Sequence, residues 1–375
     1  MISGASADIG GEFTNNLFSD LAPILALFGE QVAKQFLSES TGWADNILFA
    51  MAPLGIITAI VSAIRVAGFP WLRAVIGRSK EGQGLVELEL MSSNSRDVGE
   101  MWNGQAVVRL VGEPTIFQFI YESNPAADDP YRGIHILEKT NPLFELSHPD
   151  ESLLSHNILI PPNISLNARG IPVSDMEKWV CASLGVLVQL VVLLYEAAIT
   201  YYSPLKSKSI FLKDGISASP EAFPCTAVGT IALNLGMLIC AHIVDRSSIE
   251  EHWKIKKKKE DKDCKIVWIQ KGGTVNDQVF EPYIIHGHEG QRKIITSRRY
   301  DIKPPTSLQY LVLVATAISV VGFIFQFIGL RGMTWSASIA QLAATLVMTF
   351  IRSVIRRRLT REPHAEPAIK EFELE

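Results

Sequence analysis

Residues 307–351 read SLQYLVLVATAISVVGFIFQFIGLRGMTWSASIAQLAATLVMTFI, and the fold class follows from them. No residue between Ser307 and Leu330 is charged, and Arg331-Gly332 separates that run from a second uncharged run, Met333–Ile351. A helix rises about 1.5 Å per residue, so about 20 apolar residues cross the roughly 30 Å of bilayer hydrocarbon. Each run is long enough, and the short break between them predicts a tight helical hairpin. Arg352, Arg356, Arg357, Arg358 and Arg361 follow, the basic bias that marks the cytoplasmic end of a span. An integral membrane protein is expected, with residues 352–375 as a cytosolic tail.

Three further stretches have the same character. Residues 46–64 are bordered by Trp43 on one side and by Arg65, Arg73, Arg78 and Lys80 on the other, while only Lys34 is positive before them. Their N-terminal side is therefore expected to be lumenal or exterior. Gly55, Ala59 and Ala63 form a small-residue stripe suited to close helix approach, and so to homo-oligomerisation through such faces. Residues 179–202 end on Tyr201-Tyr202, which suits an interfacial aromatic belt, and residues 223–244 are followed by Arg246, Lys254 and the run Lys256–Lys259. Lys206, Lys208 and Lys213 on the opposite side are a mild violation of the charge rule. The expectation is membrane α-helical: about five transmembrane helices (46–64, 179–202, 223–244, 307–330 and 333–351), in the endoplasmic reticulum or plasma membrane.

Two polar segments are too long for simple loops. In residues 73–178, the alternation around Val86, Leu88 and Leu90 predicts a strand. Ser95 is placed to cap a short helix ending at Asn103-Gly104. Strands are expected over Gln105–Val111, Thr115–Tyr121, Gly133–Leu137 and within Asn157–Leu166, with a loop at Ser123–Arg132. In residues 245–306, Lys265–Gln270 and Gln278–Ile285 read as paired strands about Lys271-Gly272-Gly273, with Ile294–Thr296 as a third. An isolated hairpin is marginal in water, so this segment is expected to join the sheet of residues 73–178 in one composite β-rich (α+β) cytosolic domain. In residues 1–45, Leu21, Leu25, Phe28, Val32 and Phe36 recur at helical spacing over 19–37, with Glu30 and Lys34 as an i, i+4 pair. That helix either lies on the membrane surface or packs on the bundle. No secretory signal is read at the N-terminus.

The chain has 375 residues, of which 47% are hydrophobic and 20% charged, with net charge −4. Mean hydropathy is +0.19. No global basic field favours nucleic acid. Cys181, Cys225, Cys240 and Cys264 show no C-x-x-C pair, so no zinc ribbon or disulfide framework is expected.

The stretches Phe18–Pro23, Gly42–Ile47 and Met51–Ile56 resemble an uncharacterised family of fungal multi-pass membrane proteins. Ala106–Arg109, Pro162–Asn167, Trp268–Gln270 and Asp277–Phe280 resemble later signatures of the same family. The resemblance implies a multi-pass architecture in a fungal membrane. Members are often associated with ankyrin repeats, and no such repeat is detectable here. It carries no catalytic residues over.

Glu196 is the strongest candidate for chemistry, because an ionisable group inside a span is expensive and shares a helix face with Cys181, Gly185 and Gln189. Against this, Tyr201-Tyr202 place it close to the outer interface. Asn234, His242, Gln326 and Gln341 read as interhelical hydrogen-bonding groups. His286-Gly287-His288-Glu289 offers two histidines on one side of an extended segment but lacks a third ligand, and Asp128-Asp129 reads as a turn. Gly82-Gln83-Gly84 lacks the rest of a dinucleotide fingerprint. The sequon Asn163-Ile164-Ser165 is expected in the cytosol. No cofactor or metal is expected. The bilayer is the expected partner, with anionic lipid headgroups drawn to the basic runs and a protein bound by the cytosolic domain. A membrane scaffold or sensor is the leading expectation. The alternatives are a cyclase- or isomerase-type enzyme acting on a lipophilic substrate through Glu196, and an ion or solute path.

Overall fold

The computed structural model describes residues 29–40, 42–51, 54–122, 132–137, 144–146, 161–168, 173–202, 212–213, 216–217, 219–255, 264–288, 293–299, 304–357 and 363–368. Two compact units emerge. One comprises Met1–Lys80, Val173–Arg246 and Pro304–Arg356, and the other Glu81–Pro172, Ser247–Lys303 and Arg357–Glu375.

The first unit is helical. Helix α1 covers residues 29–38, followed by α2 (Trp43–Ala50), α3 (Ile56–Ala67) and α4 (Pro70–Val75). The long helices of this unit are α7 (Asp175–Tyr201), α8 (Ala222–Asp245), α9 (Thr306–Gly332) and α10 (Trp335–Ile355). All four are long and apolar enough to cross a membrane. Their outward residues, such as Leu187, Leu194, Phe323 and Phe350, are exposed, as lipid-facing side chains are.

Helices α8 and α9 lie antiparallel with their backbones in close approach. A Cβ built on Gly229 would sit 2.1 Å from the Gln326 backbone nitrogen, and one on Gly322 would sit 2.5 Å from that of Leu233. Gly236 faces Ser319 in the same register, and Gly329 faces Thr226. Among apolar helices in lipid there is little hydrophobic drive to associate, so close backbone packing supplies the attraction.

Over residues 46–64, where one continuous span is expected, the chain forms α2 and α3 separated by a break ending at Gly55. Gly55 takes φ +73°, and a Cβ there would meet the Ala33 Cβ at 2.7 Å and the Gly29 carbonyl oxygen at 2.8 Å. Both conformation and space demand glycine. The α2 start is fixed to the end of α8: Gly42 N and Asn46 Nδ2 donate to the Asp245 carboxylate at 3.2 and 3.1 Å. The end of α3 is fixed by Phe69, whose ring meets Tyr310 edge-on at 5.3 Å, near the start of α9. In the α8–α9 register Tyr310 is level with Asp245. Helices α2 and α3 therefore enter and return at one end of the bundle. The nine steps from Gly42 to Met51 reach only about 14 Å along the axis, roughly half the thickness of bilayer hydrocarbon.

That end also receives Lys178 of α7, which pairs with Asp45 at 2.8 Å, and Arg356 after α10, 3.6 Å from the same carboxylate. All the points where the chain enters or leaves the helical unit thus gather at one end. Within α1, the Glu30–Lys34 pair forms at 2.9 Å, and Ala33, Phe36 and Leu37 are buried in the helical core. The described half of this helix packs on the bundle; residues 19–28 lie outside the described residues.

The second unit is β-rich. Its five-stranded sheet runs β14 (His364–Pro367), β12 (Tyr283–His286), β9 (Cys264–Gln270), β3 (Ile116–Glu122) and β4 (Ile134–His135). A three-stranded sheet runs β13 (Lys293–Arg299), β8 (Ser248–Ile255) and β5 (Phe144–Leu146). Ile120, Ile266, Trp268 and Ile285 of the first share a core with Trp253 and Ile294 of the second. Strands β1 (Val98–Trp102) and β2 (Val107–Val111) form a hairpin, and a smaller one joins β10 (Gly273–Val275) to β11 (Gln278–Phe280). In the helical unit β6 (Leu212–Lys213) pairs with β7 (Ile216–Ser217).

Several local expectations change. The alternating stretch at Val86 is helix α5 (Gln83–Leu90), with Val86, Glu87 and Leu90 buried, because those positions also satisfy helical spacing. Ser95 caps no helix; its hydroxyl binds Glu87, and β1 follows. Residues Ile164–Ala168 form helix α6 where a strand is expected, and β9 pairs with β12, the β10–β11 hairpin being inserted between them. Strand β8 follows α8 after two residues, ahead of the lysine run, and carries no signal read above.

Gly229→Ala is expected to force α8 and α9 apart and cost about 1–3 kcal/mol. It should lower the thermal midpoint in detergent, whereas Gly82→Ala, with open space about it, should not. Equal midpoints for Gly229→Ala and the parent would refute the close seam.

Candidate functional site

Glu196 lies on the inward face of α7, in line with Ala182, Gly185, Gln189, Val192 and Ile199. That face packs on α10: a Cβ on Gly185 would meet the Met348 methyl at 2.6 Å, and Ile199 shares a cluster with Met333 and Ala337. The two helices are antiparallel. Glu196 lies six residues before Tyr202, and Gln341 lies six residues after Trp335, each about 9 Å from the far end. By the Gly185–Met348 contact, Glu196 is level with Ala337, about one turn from Gln341 along the same seam.

Both carboxylate oxygens of Glu196 and both polar side-chain atoms of Gln341 are buried and meet no hydrogen-bonding partner among the described residues. The neighbouring hydroxyls are committed elsewhere. Thr200 donates to the Glu196 carbonyl and Thr345 to the Gln341 carbonyl, each the ordinary i−4 bond of a helical threonine. A carboxyl fully out of water with no bonded group beside it is the costliest kind of buried side chain. The seam therefore holds a buried acid near Ile199, Met333 and Ala337 and, about a turn along, a buried amide.

Gln189, on the same face, has a different role. Its Nε2 donates to the Met51 carbonyl at 2.8 Å, at the break after α2. Arg352 does the same for the preceding turn: its Nε donates to Leu48 O at 3.2 Å and its Nη2 to Phe49 O. The guanidinium lies 4.9 Å from the Phe49 ring centroid and 5.3 Å from that of Phe36. In the sequence Arg352 and Arg356 belong to the basic cluster that marks the end of a span. In the fold they are also structural groups of the bundle. The lysines at 256–259, Arg358, Arg361, Asp128 and Asp129 lie outside the described residues.

The remaining membrane candidates are interhelical. Gln326 donates to the Thr230 hydroxyl at 3.0 Å across the α8–α9 seam. His242 stacks on Trp43 with ring centroids 4.4 Å apart. Asn234 is buried on α8, and its Oδ1 lacks a partner among the described residues.

In the β unit, a second polar cluster is fully engaged. Ser95 and Ser93 donate to Glu87 at 2.7 and 2.9 Å, and Arg299 pairs with it at 2.9 Å. Asn163 donates to Ser92 O and accepts from Ser297 N, while Asn167 both donates to and accepts from the Ile295 backbone. The sequon amide is therefore consumed by the fold. Gly82 opens α5 and cradles no phosphate motif. His286 stands opposite His364 in the β12–β14 register, so the histidine that local spacing lacked arrives from the far end of the chain. Residues 163, 167 and 364 carry no local sequence signal for these roles, because each partner is remote in sequence.

Burial raises the Glu87 carboxyl above its ordinary 4.5, opposed by the Ser95, Arg299, Ser93 and Arg109 contacts. The folded state then holds this proton more tightly than the unfolded chain. Its contribution to stability is greatest at low pH and is lost as pH rises through the raised value. Relative to Glu87→Gln, the parent should gain protection from amide hydrogen exchange in β1 and β13 as pH falls from about 7 to about 5. A pH-independent difference would contradict this.

Searches find no protein-family model, curated protein or solved structure that matches the chain.

Proposed function

We propose that this protein is a membrane-anchored scaffold or sensor whose β unit works in the cytosol. The observation that carries the reading is the gathering of every entry and exit of the helical unit at one end. Arg246, Lys254, Lys256–Lys259 and Arg356–Arg358 border those exits, and basic residues favour the cytosolic side. Four full spans and a re-entrant α2–α3 pair then replace the five-pass threading, with Gly42 and Phe69 both at the cytosolic face. The resemblance noted in the sequence adds a fungal membrane as the proposed setting. The lysine run is proposed to draw anionic headgroups.

The β unit also has a surface suited to a protein partner. Phe117 and Tyr121 lie on one face of β3, and Tyr121 stands opposite Ile134; these side chains are 44%, 44% and 54% exposed. Apolar side chains clustered on a solvent-facing sheet are a feature of interaction sites. Proximity labelling from Ile134→Asp should lose proteins that the parent labels; identical labelling would remove the scaffold reading.

One observation favours a second reading, the unbonded Glu196 in the α7–α10 seam. There it would act as a proton donor to a lipophilic substrate, in the manner of a cyclase or isomerase. Glu196→Gln keeps the shape and removes the acid. A product lost from the variant strain would establish the enzyme; an unchanged metabolite profile would dismiss it.

The orientation has its own measurement. Cysteines placed singly at Trp43 and Trp71, both exposed, in a chain with its native cysteines replaced, should react with an impermeant maleimide from the cytosolic side alone. Labelling of the two positions from opposite sides would restore a full first span.

A further inference from the structure

We infer that His286, His364 and Glu366 form a site for a divalent transition-metal ion that joins the C-terminal strand to the sheet. One ligand atom from each of these side chains lies within 4.8 Å of the others. The sheet itself creates the grouping. His364 and Glu366 are two residues apart on β14 and so project from the same face. His286 on β12 is the registered antiparallel partner of His364, and the two rings are 5.6 Å apart. The His364 Nδ1 is 3.8 Å from the Glu366 Oε1.

The chemistry of the donor set selects the ion. Two imidazoles and one carboxylate suit Zn²⁺, Co²⁺, Ni²⁺ or Cu²⁺ and not Ca²⁺ or Mg²⁺, which prefer all-oxygen shells. Metal–ligand distances of about 2.0–2.2 Å in a tetrahedron put donors roughly 3.4 Å apart. His364 and Glu366 are exposed side chains, so small rotations close the present spacing. Three protein donors leave one position for water or a further ligand.

Position in the fold gives the site a consequence. Strand β14 is an edge strand of four residues and follows α10 in the chain, whereas β12 precedes α9. An ion held between them would fasten the residues after the last membrane helix to the β unit. His288, two residues beyond His286, stands outside the group and serves as an internal control.

The test uses the full chain, purified in detergent and stripped with chelator, titrated with Zn²⁺ calorimetrically and with Co²⁺ by visible absorption. One ion per chain is expected. Loss of outer-shell support alone costs about 10–100-fold in affinity, so His286→Ala, His364→Ala and the exposed Glu366→Gln should each weaken binding by about tenfold or more. His288→Ala should bind as the parent does. Absence of binding, equal affinity in the parent and His364→Ala, or an equal loss in His288→Ala would overturn the site.

Discussion

The helical unit depends on the satisfaction of backbone carbonyls where α2 ends. A helix that stops part-way into hydrocarbon leaves its last carbonyls without intrahelical donors, and no water is there to replace them. Here Arg352 takes the carbonyls of Leu48 and Phe49, and Gln189 takes that of Met51. These donors come from α10 and α7, so the break in one helix fixes the positions of two others. The charge of Arg352 is costly to bury, and the Phe36 and Phe49 ring faces offset part of that cost. Removing either donor would leave a bare carbonyl in an apolar site.

The other half of the bundle is held differently. The α8–α9 pair uses the absence of side chains at Gly229, Gly236, Gly322 and Gly329 to bring backbones together. That pair supplies the surface on which α3 lies, with the Phe69–Tyr310 contact at its end. Charged groups then collect at one end of the bundle, in the Asp45–Lys178 and Asp45–Arg356 pairs. The result is polar at one end and, except for the α7–α10 seam, largely apolar within. Glu196 stands out because its neighbours explain Gln189 and Arg352 but not its own carboxyl.

The β unit solves the same accounting with side chains of distant segments. Asn163, just before α6, and Asn167 within it act as pieces of strand, pairing with the backbone of β13, 128 to 134 residues away. Glu87 gathers Ser93, Ser95 and Arg299 around a buried carboxylate. Paired polar groups of this kind specify one arrangement of the loops around a small apolar core.

The sequence by itself determined the apolar helices, because twenty uncharged residues in a row admit few other structures. It also determined strands β2, β3 and β9, where β-branched and aromatic residues are dense. It could not separate α5 from a strand, since the alternation of Val86 to Leu90 satisfies both periods. Nor could it show that 46–64 breaks into two helices, because the apolar content of such a pair equals that of a single span. Pro53 hinted at a kink and Gly55 at a break, though Gly55 reads equally as part of a packing stripe. Glu196 was legible as an ionisable group in a helix; its lack of a hydrogen-bonding partner among the described residues was not. Tertiary structure alone decided that Arg352 caps α2, that Asn163 is a strut, and that His364 meets His286. Each is a contact across scores of residues, and no local pattern encodes which remote backbone a polar side chain will satisfy.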